Sequence, residues 1–245
     1  MAKRFFVIQG FICFILATLV SCQNTRYGYF HITENQVEEM TCAEAKAYLC
    51  HHYGITEEGY VPYLSKAFEF NNPVVDVTLL LKAGADPNAI IDKEKGLTLA
   101  HMACHGAWGN HHRGLYVLQV LKDYGADFNK TSKSGFTPLH YAVANRYEEA
   151  CEYLLETCNV DTEIKNNAGF TPLLWGAYLV WSHGDDDVRT KNIVRMLINH
   201  GADIHATAYD GKVNILNFYL DRGDEEFASY LMQLGVKHIE FRKNW

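Results

Sequence analysis

The apolar residues of segment 135–161 fall into two helical stripes separated by a short break. The opening of the segment combines Gly135 and the pair Thr137-Pro138 with the apolar Leu139, an arrangement typical of a helix start. Ala150, Leu154 and Leu155 then form the buried stripe of a second helix. The pattern therefore predicts a hairpin of two helices as one structural unit.

The same pattern recurs along most of the chain. Gly-Ala-Asp closes three of the hairpins, at Gly84, Gly125 and Gly201, and Asn159-Val160-Asp161 is a degenerate fourth closing. Five openings lie in register with these closings, and they begin at Gly59, Gly96, Gly135, Gly169 and Gly211. Five openings in register indicate an internal repeat, whereas a single Thr-Pro-Leu-His could arise by chance.

This unit resembles the ankyrin repeat, whose signature is a G-x-TPLH-x-A opening, a helix pair and a G-A-D-x-N close, at a period of about 33 residues. The resemblance implies an all-α solenoid of about five helix-pair repeats over residues 56–245. It also implies that His101 and His140 hydrogen-bond to backbone and join adjacent repeats. Val61 replaces the threonine of the first repeat, which predicts a looser turn, and Val213-Asn214 replaces the threonine-proline pair of the fifth.

Residues 22–55 are predicted to form a polar tether followed by an N-terminal helical cap. Thr33 with Gln36, and Thr41 with Glu44, have capping-box spacing, so we expect helices from about Glu34 and Cys42. The cap should end near Gly54. The terminal units of a solenoid need one polar outer face, and the acidic residues of this segment supply it.

The second and fourth repeats carry extra residues. From Thr98 to Gly125 is 27 positions and from Thr171 to Gly201 is 30, where the family pattern allows about 21. We therefore expect insertions of roughly six and nine residues between the two helices of these repeats, at 104–114 and 180–191.

The two insertions are the one place where the sequence could carry chemistry, and the first is rich in histidine. His101, Cys104 and His105, followed by His111 and His112, have the ligand density of a zinc site. The alternative is a solvated loop, with His101 in its structural role, and the predicted cofactor is none. His105, His111 and His112 remain the metal candidates. A protein that binds a metal or small ligand through both insertions, including the aspartates 185–187, is the second functional hypothesis.

Residues 1–21 resemble a lipoprotein signal peptide. Lys3 and Arg4 precede an apolar run that is short for a membrane span. Leu19-Val20-Ser21-Cys22 is similar to a bacterial lipobox, which implies lipidation of Cys22 and firm attachment to a membrane. The alternatives are an ordinary cleaved signal or an uncleaved anchor. The expected location is the bacterial cell envelope. Gln23 stands where an aspartate marks inner-membrane retention in some bacterial lipoproteins, so the resemblance favours the outer membrane, with the chain facing the periplasm.

The net charge argues against one class of partner, and the cysteine count limits the possible disulfides. The net charge is −7, and a protein that neutralises nucleic-acid phosphates needs a basic face, so we expect no nucleic-acid partner. Five cysteines follow Cys22, an odd number that leaves at least one thiol. Cys104 and Cys151 are predicted to be small buried residues. Cys42 and Cys50 are too far apart for a disulfide within one continuous helix.

The resemblance also implies a binding surface, because the turn tips between repeats and the first helices form a concave face that contacts another protein. The predicted contacts lie at the tips, where lysines stand beside aromatic residues. They are Ile91, Lys93, Lys95, Lys130, Ser132, Lys133, Phe136, Lys165, Asn167, Phe170, Tyr209 and Asp210. The alternative is that these residues only shape the turns. The chain has no G-x-S-x-G, P-loop or H-E-x-x-H motif, so we expect no enzymatic activity. The predicted function is that of a membrane-anchored module that binds an unidentified protein partner.

Overall fold

A computed structural model describes residues 32–66, 73–105, 111–183 and 188–240. The predicted signal peptide, Cys22 and the tether lie outside these residues, as do the aspartates 185–187. The α-helices of the described residues are α1 (Glu34–Glu39), α2 (Cys42–Tyr53), α3 (Tyr60–Lys66), α4 (Pro73–Lys82), α5 (Leu99–Cys104), α6 (His111–Asp123), α7 (Pro138–Ala144), α8 (Glu148–Thr157), α9 (Pro172–His183), α10 (Val188–Asn199), α11 (Ile215–Arg222) and α12 (Glu225–Gln233).

The helices pack in chain order, in two rows. Of each pair, the first helices form one row, in which α5 contacts α7, α7 contacts α9 and α9 contacts α11. The second helices form the other row, in which α4 contacts α6, α6 contacts α8 and α8 contacts α10. Each unit thus buries its apolar stripe between its two neighbours, as expected of a repeat solenoid. The helix-rich fold confirms the all-α class predicted from the repeated pattern.

Two short hairpins add strands to the helical array. Strand β1 (Ile90–Asp92) pairs antiparallel with β2 (Leu97–Thr98), and β3 (Thr207–Ala208) pairs antiparallel with β4 (Val213–Asn214). Both hairpins stand immediately before a first helix. They are details that the helical pattern did not predict, because two or three residues are too few to show strand alternation.

The first two helices begin where the capping spacing predicted. The hydroxyl of Thr33 accepts from Gln36 N, and that of Thr41 accepts from Glu44 N, while both side chains at the third helical position return to the cap. Helix α2 ends at Gly54, whose φ of 64° is left-handed and favours glycine. Among the described residues, no helix combines the length and apolar character needed to cross a bilayer.

The extra residues of the second and fourth repeats were predicted to lie between the two helices of each repeat, but some of them lengthen those helices instead. Helix α9 has 12 residues, whereas the corresponding α7 has 7. Helix α6 has 13, whereas the corresponding α8 has 10. The described parts of segment 180–191 are helical, and residues 106–110 and 184–187 of the two predicted insertions lie outside the description. Extra residues lengthen helices here because the added turns still find apolar neighbours, as Val180 is buried.

The cysteines behave as their positions predicted. Cys104 and Cys151 are buried, and burial raises the pKa of both thiols. Cys42 and Cys50 are exposed on the continuous helix α2, and all five described cysteines are free. The buried pair therefore fills core volume in the manner of small apolar residues.

Candidate functional site

Four turn tips project from the array between consecutive units. We call residues 90–97, 130–136, 164–170 and 207–213 tips 1 to 4. Tips 1 and 4 are the two short hairpins. Tips 2 and 3 close as turns, in which Ser132 N donates to Phe136 O over 2.8 Å and Asn166 N donates to Phe170 O over 2.9 Å.

The first three tips are bonded directly to one another. The amide of Lys133 donates to Lys95 O over 2.9 Å, and the amide of Asn167 donates to Ser134 O over 3.0 Å. The carboxamide of Asn167 also donates to Lys133 O over 2.9 Å. A Cβ atom on Gly135 would come within 2.6 Å of Asn167 N, so this close approach requires glycine. Lys165 Nζ of tip 3 also donates to Thr207 O of tip 4 over 3.4 Å. The four tips therefore form one continuous surface, which we call the tip ridge.

Two buried histidines hold the ridge to the helices beneath it. At the start of α5, His101 Nδ1 accepts from Thr98 N over 3.1 Å and His101 Nε2 lies 3.0 Å from Phe136 O in the next tip. His140 repeats the arrangement at the start of α7, with Nδ1 accepting from Thr137 N over 3.2 Å and Nε2 lying 3.0 Å from Phe170 O. These contacts bear out the structural role predicted for both histidines.

The protonation state of these histidines follows from their surroundings. Burial lowers the pKa of His101 and of His140 to about 4, although the carbonyl that each one contacts acts in the opposite direction. Each ring is therefore neutral at pH 7, with its proton on Nε2 to donate to the carbonyl. A neutral ring at this position satisfies both nitrogens in the core.

A second series of side chains links the units below the tips. Asn88 Oδ1 accepts from Asp127 N over 2.7 Å, Asn129 Oδ1 accepts from Asp161 N over 2.9 Å, and Glu163 Oε1 accepts from Asp203 N over 2.9 Å. Sequence reasoning did not assign these links. The signal was present, since each residue stands two positions after the aspartate of a closing.

A row of half-buried aromatic rings runs along the first helices beside the ridge. We call Phe136, Tyr141, Trp175, Tyr178 and Trp181 the aromatic stripe. Neighbouring ring centroids are 5.0 Å apart for Phe136 and Trp175, 5.3 Å for Trp175 and Tyr178, and 5.7 Å for Tyr178 and Trp181. All five side chains keep part of their surface in solvent. The last of them, Trp181, is fixed by its Nε1 donating to Asp221 on α11 over 2.7 Å.

Most of the predicted contact residues are accessible. Ile91, Lys130 and Phe136 are half-buried, and the remaining accessible ones are Lys93, Lys95, Lys133, Lys165, Asn167, Tyr209 and Asp210. If the tip residues only shaped the turns, Phe136 and Phe170 of consecutive repeats could pack directly on one another. Instead, Trp175 contacts both rings, at 5.0 Å and 5.9 Å.

Two of the predicted contact residues are buried, and the prediction is corrected for them. Phe170 is 2% exposed, because its ring packs against Tyr178, Tyr209 and Phe218 of the following helices and tip. Ser132 is 6% exposed, and its hydroxyl accepts from Phe136 N over 3.1 Å inside tip 2. Neither side chain is available to a partner in this conformation.

The metal hypothesis gains no support from the described residues. Across these four stretches of chain, no three His, Cys, Asp or Glu side chains lie close enough to hold a metal ion. His105 lies half-buried at the end of α5, with its ring 5.6 Å from that of Tyr141. The side chains of His111 and His112 are outside the description, so that part of the hypothesis stays a prediction.

Comparison with known families gives a match over more than half of the chain. The family model described as "Ankyrin repeats (3 copies)" matches residues 64–166 and 112–208. These spans include three of the four tips and the whole aromatic stripe. Tip 4 is only partly included.

Curated relatives show the same similarity at low identity. The chain is 32% identical to the mouse "B-cell lymphoma 3 protein homolog" over 139 residues, which are 55% of this chain and 27% of that protein. It is 29% identical to the Escherichia coli "Putative ankyrin repeat protein YahD" over 122 residues, 50% of this chain and 58% of that protein. It is also 29% identical to the human "Neurogenic locus notch homolog protein 2" over 136 residues, 56% of this chain and 5% of that protein. The alignments cover less than two thirds of each relative's length.

Proposed function

The chain belongs to the ankyrin-repeat family, and from that membership we propose that it is a protein–protein interaction module whose tip ridge and aromatic stripe together hold a protein partner. The partner lies on the concave face formed by the tips and first helices. No cofactor, nucleic acid or catalytic step belongs to this function.

The observation that carries the proposal is the aromatic stripe beside exposed lysines. Aromatic side chains are enriched in the cores of protein interfaces, where they bury a large area at low entropic cost. Trp175, Tyr178 and Trp181 hold one another in place through ring contacts, yet all three remain partly exposed. Exposed lysines, including Lys95 and Lys133, lie in the tips that precede α5 and α7 and suit the polar rim of an interface.

The hydrogen-bond network supports a surface that needs little ordering on binding. The tips are joined by backbone bonds from Lys133 and Asn167, and they are held from below by His101 and His140. Immobilising side chains and loops costs roughly 0.5–1.5 kcal/mol per flexible side chain. A ridge that is already fixed avoids part of that cost, so more of the contact energy contributes to affinity.

Site-specific photo-cross-linking tests the proposal in cells. A benzophenone amino acid replaces Tyr178 in the stripe or, as a matched control, Tyr116, which is 56% exposed on α6 in the row of second helices. Position 178 should yield a discrete cross-linked protein, and position 116 should not. Equal cross-linking from both positions, or cross-linking from 116 alone, would place the partner elsewhere.

We also propose that a lipid on Cys22 anchors the module to an envelope membrane. The support is in the sequence: a basic start, an apolar run and the lipobox-like Leu19-Val20-Ser21-Cys22. Two or more acyl chains attach a protein stably where one is marginal. Mass measurement of membrane-extracted protein should give a chain that begins at Cys22 with added acyl mass, and Cys22→Ser should release it. An unmodified or longer chain contradicts the anchor.

The array itself is proposed to comprise five helix pairs, with α1 and α2 as its N-terminal cap. Both helices contact α4, and the exposed Glu38 and Glu39 lie on α1. Removing residues 32–54 should bare the apolar side chains of α4, since Val75 and Leu79 are buried. The truncated chain should unfold at lower urea with a smaller m-value. An unchanged midpoint would contradict the capping role.

A further inference from the structure

The tip ridge differs in charge from the rest of the molecule. Its lysines are Lys93, Lys95, Lys130, Lys133, Lys165 and Lys212, and its acidic residues are Asp92, Glu94 and Asp210. Asp92 Oδ1 accepts from the amides of Glu94 and Lys95, at 2.9 Å each, which engages that carboxylate inside tip 1. The ridge is therefore basic in a chain whose net charge is −7.

Two of the ridge lysines contact neutral backbone groups. Lys130 Nζ donates to Asn88 O over 3.3 Å and Lys165 Nζ donates to Thr207 O over 3.4 Å, so neither contact offsets the positive charge with a carboxylate. Within the four described stretches, none of the six ridge lysines forms an ion pair with a carboxylate. The positive charge of the ridge is thus free to act on a partner.

The second helices carry charge of both signs. Helix α8 carries Glu149, Glu152 and Glu156 on its exposed side, whereas α10 carries Arg189, Lys191 and Arg195 and no acidic residue. The acidic surface of this row is therefore that of α8. An acidic partner is repelled from α8 and attracted to the ridge lysines.

We propose that the partner is an acidic segment of protein, whose carboxylates face the ridge lysines while its apolar side chains lie on the aromatic stripe. This inference rests on the proposed interaction function and adds the chemistry of the partner. A single exposed ion pair contributes little to affinity. Several lysines acting together raise the association rate and make binding depend on salt.

Three labelled 12-residue peptides test the inference by fluorescence anisotropy. They share the same Trp and Leu positions and carry Glu, Gln or Lys at the others. The Glu peptide should bind at least tenfold more tightly than the Gln peptide at low salt, and the Lys peptide should bind least. Raising salt should weaken the Glu peptide and leave the Gln peptide nearly unchanged, because only charge pairs are screened.

Charge reversal locates the effect. The double variant Lys95→Glu/Lys133→Glu should weaken the Glu peptide at least tenfold. The matched control Lys66→Glu/Lys122→Glu changes two exposed lysines outside the ridge by the same charge and should have little effect. Equal losses in both variants overturn the assignment to the ridge, because they indicate a response to net charge alone.

The outcomes separate this inference from the proposed function. If the Glu and Gln peptides bind equally and both depend on Tyr178, the acidic partner is wrong while the interaction surface stands. Absence of binding by the Glu peptide, with cross-linking at position 178 intact, also overturns the inference alone. Absence of cross-linking at position 178 counts against the interaction function itself.

Discussion

The junctions on the two sides of tip 3 are built differently, although their sequences share one motif. On the N-terminal side, His140 reaches from α7 to Phe170 O in tip 3. On the C-terminal side, α9 keeps Thr171-Pro172-Leu173 but has Leu174 in place of the histidine, and Leu174 is buried. Thr171 still caps the helix by accepting from Leu174 N over 3.3 Å. The cap is thus retained without the bridge to the next tip.

Other contacts join tip 4 to the array. Phe170 lies 5.2 Å from Tyr209, ring to ring, and Lys165 Nζ reaches Thr207 O. Tyr209 and Asp210 have φ values of 50° and 56°, a region that side chains other than glycine seldom adopt. A repeat junction can therefore be made by a buried polar bridge or by aromatic packing, and the two kinds of junction should respond differently to pH and to substitution.

A fall in pH should produce the largest difference in stability between the two kinds of junction. His101 and His140 have folded pKa values of about 4, below the unfolded value of 6.5. Their contribution is therefore complete above pH 6.5 and is lost as the pH falls toward 4. The loss is roughly 3 kcal/mol per histidine, or about 6 kcal/mol for both. Urea unfolding between pH 7 and pH 4 should show this loss in the native chain and not in His101→Leu/His140→Leu.

Asp76 provides the opposing titration and must be controlled. Burial raises the pKa of its carboxyl to about 6, so the folded state holds this proton more tightly than the unfolded state. Its stabilising effect is present at low pH and is lost as the pH rises through 6. Asp76→Asn removes it and should steepen the acid loss. An acid response that is equal in the native chain and the double histidine variant would contradict the pKa assignments.

Alanine substitutions at two glycines should distinguish the close contact between tips 2 and 3 from backbone strain alone. In Gly135→Ala the new Cβ would come within 2.6 Å of Asn167 N, at a φ of +78°. Gly169→Ala has a similar φ of +84° but open space around the Cβ. Left-handed strain alone costs roughly 1–2 kcal/mol. Chemical denaturation should show that loss for Gly169→Ala and about twice as much for Gly135→Ala, and equal losses would contradict the close approach.

Replacing one bridge by the residue used at the other junction should have a smaller effect. His140→Leu copies Leu174 and leaves Phe170 O without its buried donor, which costs roughly 1–3 kcal/mol. Faster hydrogen exchange at the amides of tip 3, with tip 1 unchanged, should accompany the loss. The same substitution at His101 should shift the effect to tip 2. A uniform change across the chain would argue against local bridging.

The last unit should show the smallest effect. In α11, Asn214 and not Val213 takes the capping role that Thr137 has in α7, so Asn217, three residues after the cap, corresponds to His140. The carboxamide of Asn217 donates to Ile239 O over 2.7 Å. Asn214 caps the same helix and donates to Lys237 O over 2.7 Å. Asn217→Ala removes the bond to Ile239 O and the one that Asn214 N donates to Asn217 Oδ1 over 3.1 Å. It should cost about 1–2 kcal/mol and should speed exchange at Asn214 and in residues 236–240. Its effect should not vary between pH 7 and pH 4, because asparagine does not titrate.

Local signals explain what the sequence predicted well. Capping spacings at Thr33 and Thr41 fixed two helix starts, and the TPLH motif identified the bridges of His101 and His140. Each depends on residues three positions apart, so each is readable without knowledge of the fold.

The features that the sequence did not predict depend on contacts between residues distant in the chain. Phe136 and Phe170 occupy the same motif position, yet only Phe170 is buried, because Tyr178, Tyr209 and Phe218 close over it. The aromatic stripe likewise arises from two units brought side by side. Asn217 makes the corresponding bridge, but an asparagine does not match the histidine of the motif, so the sequence did not predict it.

Hydrogen exchange of the module with and without the protein cross-linked at position 178 tests whether that partner covers the tip ridge and the aromatic stripe. We expect slower exchange in the first three tips of the ridge, at 90–97, 130–136 and 164–170, and along the first helices that carry the aromatic stripe. We expect no change at 116–123 of α6. Protection confined to the second helices, with the ridge unchanged, would show that the partner binds elsewhere.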